Sequence, residues 1–473
     1  MIRFALCLAA LAAVSPLPAF PFWQRHASDR PVLDADPDVD GTMPEDYLPG
    51  LKDIVDAAGK ESPQLVADAL SVDIADAQKL YNGVAPMLPN VAGWSQYGDS
   101  ISKVAADAGA NTTSRGLQYD FAAHQPVFHW GQLRDRLVQS QISLAMSERR
   151  YATGYQQFIG GLRRQYLALI TDKIAWRNTQ FTLDIRTRAL RALEGQAKAG
   201  AVPPSTLQGA QLDYDDAKLA ADQQEEAYGF ARRQLARQIG LADLPDASIP
   251  LDVPEPKFSR PGADNLLADV MRTGARYLGD TQISLLQIRD SALDYDYWKV
   301  NLMPMFQIEG ELNQQNATNA TPTSVQQTAI TQENLYFRAD WNIFDGFGTR
   351  GRKEEALLSR RQAERELKVR VDQELDAAQN AEHNVEFAWR ALQTTSVRAA
   401  IAHSALLFAE QDRARGAGTD EAVAAARSND YNYQYNLMTA RTTFLATWAD
   451  FVALTGHDPA LNALPARYVR PVQ

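Results

Sequence analysis

At 473 residues the chain has room for two or three ordinary domains or one elongated repeat structure, and 45% hydrophobic with 22% charged residues excludes wholesale disorder. The formal charge is -11, and no run of Lys and Arg dominates any stretch. That excludes the basic footprint of a nucleic-acid-binding protein.

The chain starts with a short basic segment, Met1-Ile2-Arg3, followed by an apolar run from Phe4 to Val14. Leu17-Pro18-Ala19 then offers a cleavage site, so residues 1–19 are expected to be a secretory signal peptide. The chain's single cysteine, Cys7, has too little apolar sequence before it for a lipid-anchor signal. After cleavage no cysteine remains for disulfides or thiolate metal sites. No later stretch approaches the ~20 consecutive apolar residues of a membrane-spanning helix. A secreted chain of this kind is either soluble outside the cytoplasm or crosses a membrane as a β-barrel. Residues 20–60, with Pro31, Pro37, Pro44 and Pro49, are expected to be a loosely ordered lead-in.

The first long unit is expected over residues 61–240. Strands are expected at Val91–Tyr97 and Leu117–His124; in the latter Leu117, Tyr119, Phe121 and Ala123 oppose Gln118, Asp120, Ala122 and His124. Between Gly131 and Gly200 there is no proline, and Leu133, Leu137, Leu144, Tyr151, Tyr155, Phe158, Leu162 and Tyr166 recur at helical steps close to a coiled-coil seam. Such a stretch makes a rod of roughly 100 Å with no compact core of its own. A returning helix is expected from Thr206 to Ile239, with Leu207, Ala210, Tyr214 and Ala217 on one face.

Residues 241–263 carry Pro245, Pro250, Pro254, Pro256 and Pro261, so they connect rather than form a long helix. The second unit, residues 264–460, repeats the texture of the first. Phe306 to Asn313 sets Phe306, Ile308, Gly310 and Leu312 against Gln307, Glu309, Glu311 and Asn313. Gln314 to Thr331, with two Asn-x-Thr triplets, is expected to be a solvated loop. Asn334 to Phe344 puts Leu335, Phe337, Ala339, Trp341 and Ile343 on one face and Arg338 and Asp340 on the other. A proline-free stretch from Arg350 to Arg415 and a return from Glu421 to Leu454, with Tyr431, Tyr435, Phe444, Trp448 and Phe451 as packing residues, complete it. Residues 461–473 form a tail.

The two units are copies. Leu88-Pro89 returns as Met303-Pro304, Phe128 as Phe344, Gly200 as Gly416 and Gly240 as Gly456, at offsets of 215, 216, 216 and 216. Strands apolar on one side and charged on the other fit a barrel with lipid outside and water inside, and equally a half-buried soluble sheet. The leader and the long rods favour the barrel. Four strands are too few to close one, since the smallest have about eight. Closure therefore needs several chains, as the open sheet edges also demand.

This arrangement resembles the TolC-like outer-membrane efflux family over roughly residues 61–460. The resemblance rests on Phe337 to Arg352, similar to that family's alternating strand, Phe-Asp-Gly-Gly and basic helix start, and on its counterpart Gln125-Pro126-Val127-Phe128 with Trp130-Gly131. It rests too on the turns, Gly200-x-x-Pro203-x-x-Thr206-Leu207-Gln208-x-Ala210-Gln211 and, more loosely, Gly416-x-x-Thr419-x-x-Ala422-Val423-Ala424-x-Ala426-Arg427. The resemblance implies an α+β, mostly α fold of duplicated strand-strand-helix-helix units. It implies a homotrimer with a twelve-stranded barrel in outer-membrane lipid and a long helical tunnel across the periplasm. It further implies a periplasmic adaptor and an inner-membrane transporter as partners, and an export duct without catalytic residues, metal or cofactor.

On that view Asp120, Glu309, Glu311, Arg338 and Asp340 are candidates for the barrel lumen, and Gly200 and Gly416 mark the helix turns. The family's acidic ring falls here on Ala422 and Ala425, so the familiar ring is missing. Asp420 and Glu421, with Arg413 near them, are the candidate periplasmic entrance; a threefold carboxylate ring would attract cations. The same two acids also suit a helix start, where dipole and capping favour them. No phosphate loop, nucleophile motif or metal-ligand spacing among the six His accompanies them. A soluble periplasmic coiled-coil scaffold and a secreted helical enzyme are the rival readings. The first would not need strands with aromatic-apolar faces, and the second lacks a convergent polar site.

Overall fold

A computed structural model describes residues 42–103, 111–321, 324–465 and 468. The expected signal peptide and most of the tail lie outside these residues. In chain order the elements are α1 (Pro44–Tyr47), α2 (Pro49–Glu61), α3 (Pro63–Lys79), β1 (Asn90–Lys103), β2 (Asn111–Phe128), α4 (Gln132–Lys198) and α5 (Pro204–Ile239). They continue as α6 (Arg260–Thr273), α7 (Gly279–Lys299), β3 (Met305–Thr321), β4 (Ser324–Asp340), α8 (Gly348–Ala414) and α9 (Asp420–Leu454). The duplication shows in the helix lengths: α4 and α8 are each 67 residues long, and α5 and α9 are 36 and 35.

The chain forms two compact units. One comprises Val72–Ser147 and Ser284–Glu366 and contains an antiparallel sheet in the order β1-β2-β3-β4. The two hairpins meet through β2 and β3, where Tyr119 faces Gln314 and His124 faces Glu309. A bulge between Pro126 and Phe128 interrupts this ladder, as suits a proline with no N–H to donate. The other unit holds residues 42–71, Glu148–Ile283 and residues 367–465. Its core joins Leu162, Tyr166 and Ile170 of α4, Leu51, Ile54 and Ala58 of α2, and Phe444, Leu445, Trp448, Phe451 and Val452 of α9. Each large side chain so buried contributes about 1.5–3 kcal/mol. The expected packing role of Phe444, Trp448 and Phe451 holds. Among the described residues no helix is long and apolar enough to cross a membrane.

Three expectations are corrected. Residues 42–60 are not loosely ordered: α1 and α2 are packed, with Leu48, Leu51, Ile54 and Ala58 buried. Pro44 and Pro49 stand at the first position of each helix, where the missing N–H costs nothing, so they start helices rather than break them. Gln314 to Thr331 is not a loop: β3 and β4 stay paired until Thr321 faces Ser324. The ladder bonds backbone to backbone, so a polar sequence does not end it. Finally, β4 stops at Asp340 rather than at Phe344. The connector behaves as expected up to Ser259, after which Arg260 and Pro261 already open α6.

Candidate functional site

The sheet sorts its side chains by period two. Register places Asp120 opposite Asn313, Glu309 opposite both His124 and Tyr336, and Glu311 opposite both Ala122 and Asn334. Asp120, Glu309, Glu311, Arg338 and Asp340 therefore share one face, as expected. Arg338 links β4 to β3: its Nε donates to Asp340 Oδ1 at 2.9 Å and its Nη1 to Glu309 Oε2 at 3.4 Å. Gln307 Nε2 donates to Asp340 Oδ2 at 2.9 Å, and His124 Nδ1 lies 3.5 Å from Glu309 Oε1. Glu311 accepts from Asn313 at 2.7 Å and from Asn334 at 3.4 Å. Four carboxylates face one guanidinium here, so the face is electronegative.

The opposite face carries Phe121, Phe306, Ile308, Leu312, Leu335 and Phe337. Phe306 and Phe337 stack with centroids 5.7 Å apart, and Phe128 adds a third ring 6.5 Å from Phe306. Phe337 is 67% exposed and Leu335 60%, so this face covers no core among the described residues. An uncovered apolar face of this extent calls for an apolar surrounding.

The helix turns repeat in detail. Gly200 (φ 73°) and Gly416 (φ 77°) are both left-handed. Gly200 N–H donates to Ala197 O and Ala201 N–H to Gln196 O, each at 2.9 Å. Gly416 N–H to Arg413 O and Ala417 N–H to Asp412 O, also at 2.9 Å, copy them. This is the double-bonded helix stop that glycine permits. The helices that follow start differently: Pro203-Pro204 opens α5, and Thr419-Asp420 opens α9. Thr419 Oγ1 accepts from Ala422 N–H at 3.2 Å. Asp420 thus takes the place of a first-turn proline and is ion-paired with Arg413 across the turn.

Structure therefore brings Asp420 and Arg413 together, with Glu421 exposed beside them in the first turn. That favours the helix-start role. Asp420→Asn with Glu421→Gln is expected to leave the reversal potential in planar bilayers unchanged. It should cost about 0.3–1 kcal/mol of stability per charge, from the helix dipole. A shifted reversal potential at unchanged thermal stability would assign both acids to an entrance ring instead.

Two groupings escaped the sequence. On α8, ligand atoms of Glu382, His383 and Glu386 lie within 4.8 Å of one another. Glu386 is already paired with Arg260 at 3.1 Å and Arg390 at 2.5 Å, and these guanidiniums oppose a cation there. The second grouping is structural. Arg163, 2% exposed, donates to both oxygens of Asp458 at 2.7 and 2.9 Å and to Glu45 at 2.7 Å. Nearby, Tyr166 Oη donates to Ser248 O at 2.7 Å, and Lys173 Nζ to Asp246 O and Ile249 O at 2.7 and 2.8 Å, pinning the connector to α4. The signal available was a basic residue inside the apolar stripe Phe158-Leu162-Tyr166.

Residues 54–241 match the sequence profile of the outer membrane efflux protein family. The whole fold is similar to solved structures of 15% identity. A membrane protein from Pseudomonas aeruginosa superposes with a TM-score of 0.62, covering 88% of this chain and 96% of that one. The outer membrane protein VceC from Vibrio cholerae gives 0.60, with 87% and 97% covered. The MtrE outer membrane channel of Neisseria gonorrhoeae, in its open state, gives 0.60, with 89% and 94% covered. No curated protein sequence matches the chain.

Proposed function

We infer that this chain, a member of the outer membrane efflux protein family by its segment 54–241 and by its TolC-like fold, is an export channel of the outer membrane that extends into the periplasm. It works as the outer duct of a tripartite system, beside a periplasmic adaptor and an inner-membrane transporter, and is a channel rather than an enzyme.

The observation that carries this reading is the sheet. One face is electronegative and hydrogen-bonded; the other is apolar, aromatic and uncovered. Its edges, β1 and β4, have no partner strand within the described chain. Unpaired backbone at both edges cannot stand in hydrocarbon, so the sheet must close with other copies. Three copies of four strands give twelve, above the minimum of about eight for a membrane barrel. The polar face then lines water and the apolar face meets lipid.

In mild detergent the protein is expected to run as a homotrimer by light scattering. A well-behaved monomer would overturn the twelve-stranded arrangement.

A further inference from the structure

Across the seam where the two hairpins meet, β2 sets Asp120 directly opposite Asn313 of β3, and both lie on the polar face. Directly opposed residues of an antiparallel pair hold their Cβ atoms roughly 5 Å apart. Asn313 is only 6% exposed. Its amide is oriented by Glu311, because Nδ2 donates to Glu311 Oε1 at 2.7 Å. A flipped amide would set oxygen against oxygen there, so Oδ1 points away from Glu311. That Oδ1 is closed off from solvent and, among the described residues, accepts no hydrogen bond; the same holds for Asp120 Oδ1.

A buried acceptor without a donor has lost its hydration with nothing in return, and a second acceptor beside it supplies no donor. A cation satisfies both. The nearby donors are already engaged: Asn334 Nδ2 donates to Glu311 Oε2 at 3.4 Å. Arg338 is held by Glu309 and Asp340 farther along the face, which leaves Asp120 and Glu311 without an ion-pair partner among the described residues. Each Glu311 oxygen keeps a lone pair beyond the one its amide donor uses. We propose that Asp120 Oδ1, Asn313 Oδ1 and the Glu311 carboxylate bind a calcium ion, which ties the hairpin of the first repeat to that of the second. All three ligands are oxygens, two from carboxylates and one from an amide carbonyl, the set that calcium takes, with water completing the shell. The site lies within one chain and needs neither trimer nor membrane; on the channel reading it faces the lumen.

Terbium(III), which accepts the oxygen ligands of calcium, reports the site. Trp94 of β1 stands opposite Asp120, so exciting tryptophan is expected to give sensitised terbium emission from the detergent-solubilised full-length protein. Calcium should displace the terbium and remove that emission. Asp120→Asn should weaken calcium binding roughly tenfold or more, because ligand charge sets the affinity of such oxygen sites. Asn313→Ala should also weaken it, whereas Asp340→Asn, on the same face but outside the site, should leave it unchanged. Trp94→Phe should abolish the emission while calcium uptake in equilibrium dialysis persists. Emission indifferent to calcium, or unchanged in both Asp120→Asn and Asn313→Ala, overturns the site. Oligomeric state is measured on the same samples. A trimer without a calcium-displaceable signal strikes the site and leaves the channel reading, and a monomer with such a signal does the reverse.

Discussion

Replacing Arg163 by Met should destabilise the helical unit by about 3–5 kcal/mol, the usual loss when one partner of a buried ion pair is removed. The Asp458 side chain is fully buried, and without Arg163 its carboxylate keeps, among the described residues, only the Ala460 N–H, at 3.0 Å. Burial alone would lower the Arg163 pKa, but hydrogen bonds and charge from Asp458 and then Glu45 outweigh it and raise it. The guanidinium therefore stays charged wherever the protein is folded. Three separated segments meet on this one side chain, namely α1, the middle of α4 and the turn after α9, so the loss should appear as a lowered midpoint of the cooperative helix transition. Adding Asp458→Asn to Arg163→Met removes the stranded charge and should recover part of the loss. A single variant as stable as the parent would show that the triad contributes nothing net.

Phe337→Arg should block assembly in membranes, whereas Asp340→Asn should be tolerated. An Arg on the lipid face of a barrel costs about 2–4 kcal/mol near the midplane, and each chain of an oligomer bears it once. Phe337 also stacks on Phe306, so the change removes an aromatic contact as well. Asp340, by contrast, lies on the polar face and accepts from Arg338 and Gln307, roles that Asn fills in part. Heat-resistant oligomer recovered from outer membranes measures the difference. Equal recovery of the two variants would mean that the two faces are reversed or that the sheet lies outside the membrane.

What the sequence settled by itself was whatever depends on near neighbours along the chain. Left-handed stops at Gly200 and Gly416, the matching ends of α4 and α8, and the period-two sorting of Glu309, Glu311, Arg338 and Asp340 follow from local backbone and side-chain rules. Because each rule acts twice, at an offset of 216, the duplication was legible without coordinates. Tertiary structure decided the rest. Whether Pro49 breaks or begins a helix depended on α2 finding a core for Leu51, Ile54 and Ala58. Whether Gln314 to Thr331 loops or pairs depended on a partner strand to take its backbone bonds. Arg163 looked like one more helix charge until Glu45 and Asp458, 118 and 295 residues away in sequence, closed around it. Such contacts join groups far apart in the chain, and their energy comes from excluding water, which no local pattern records.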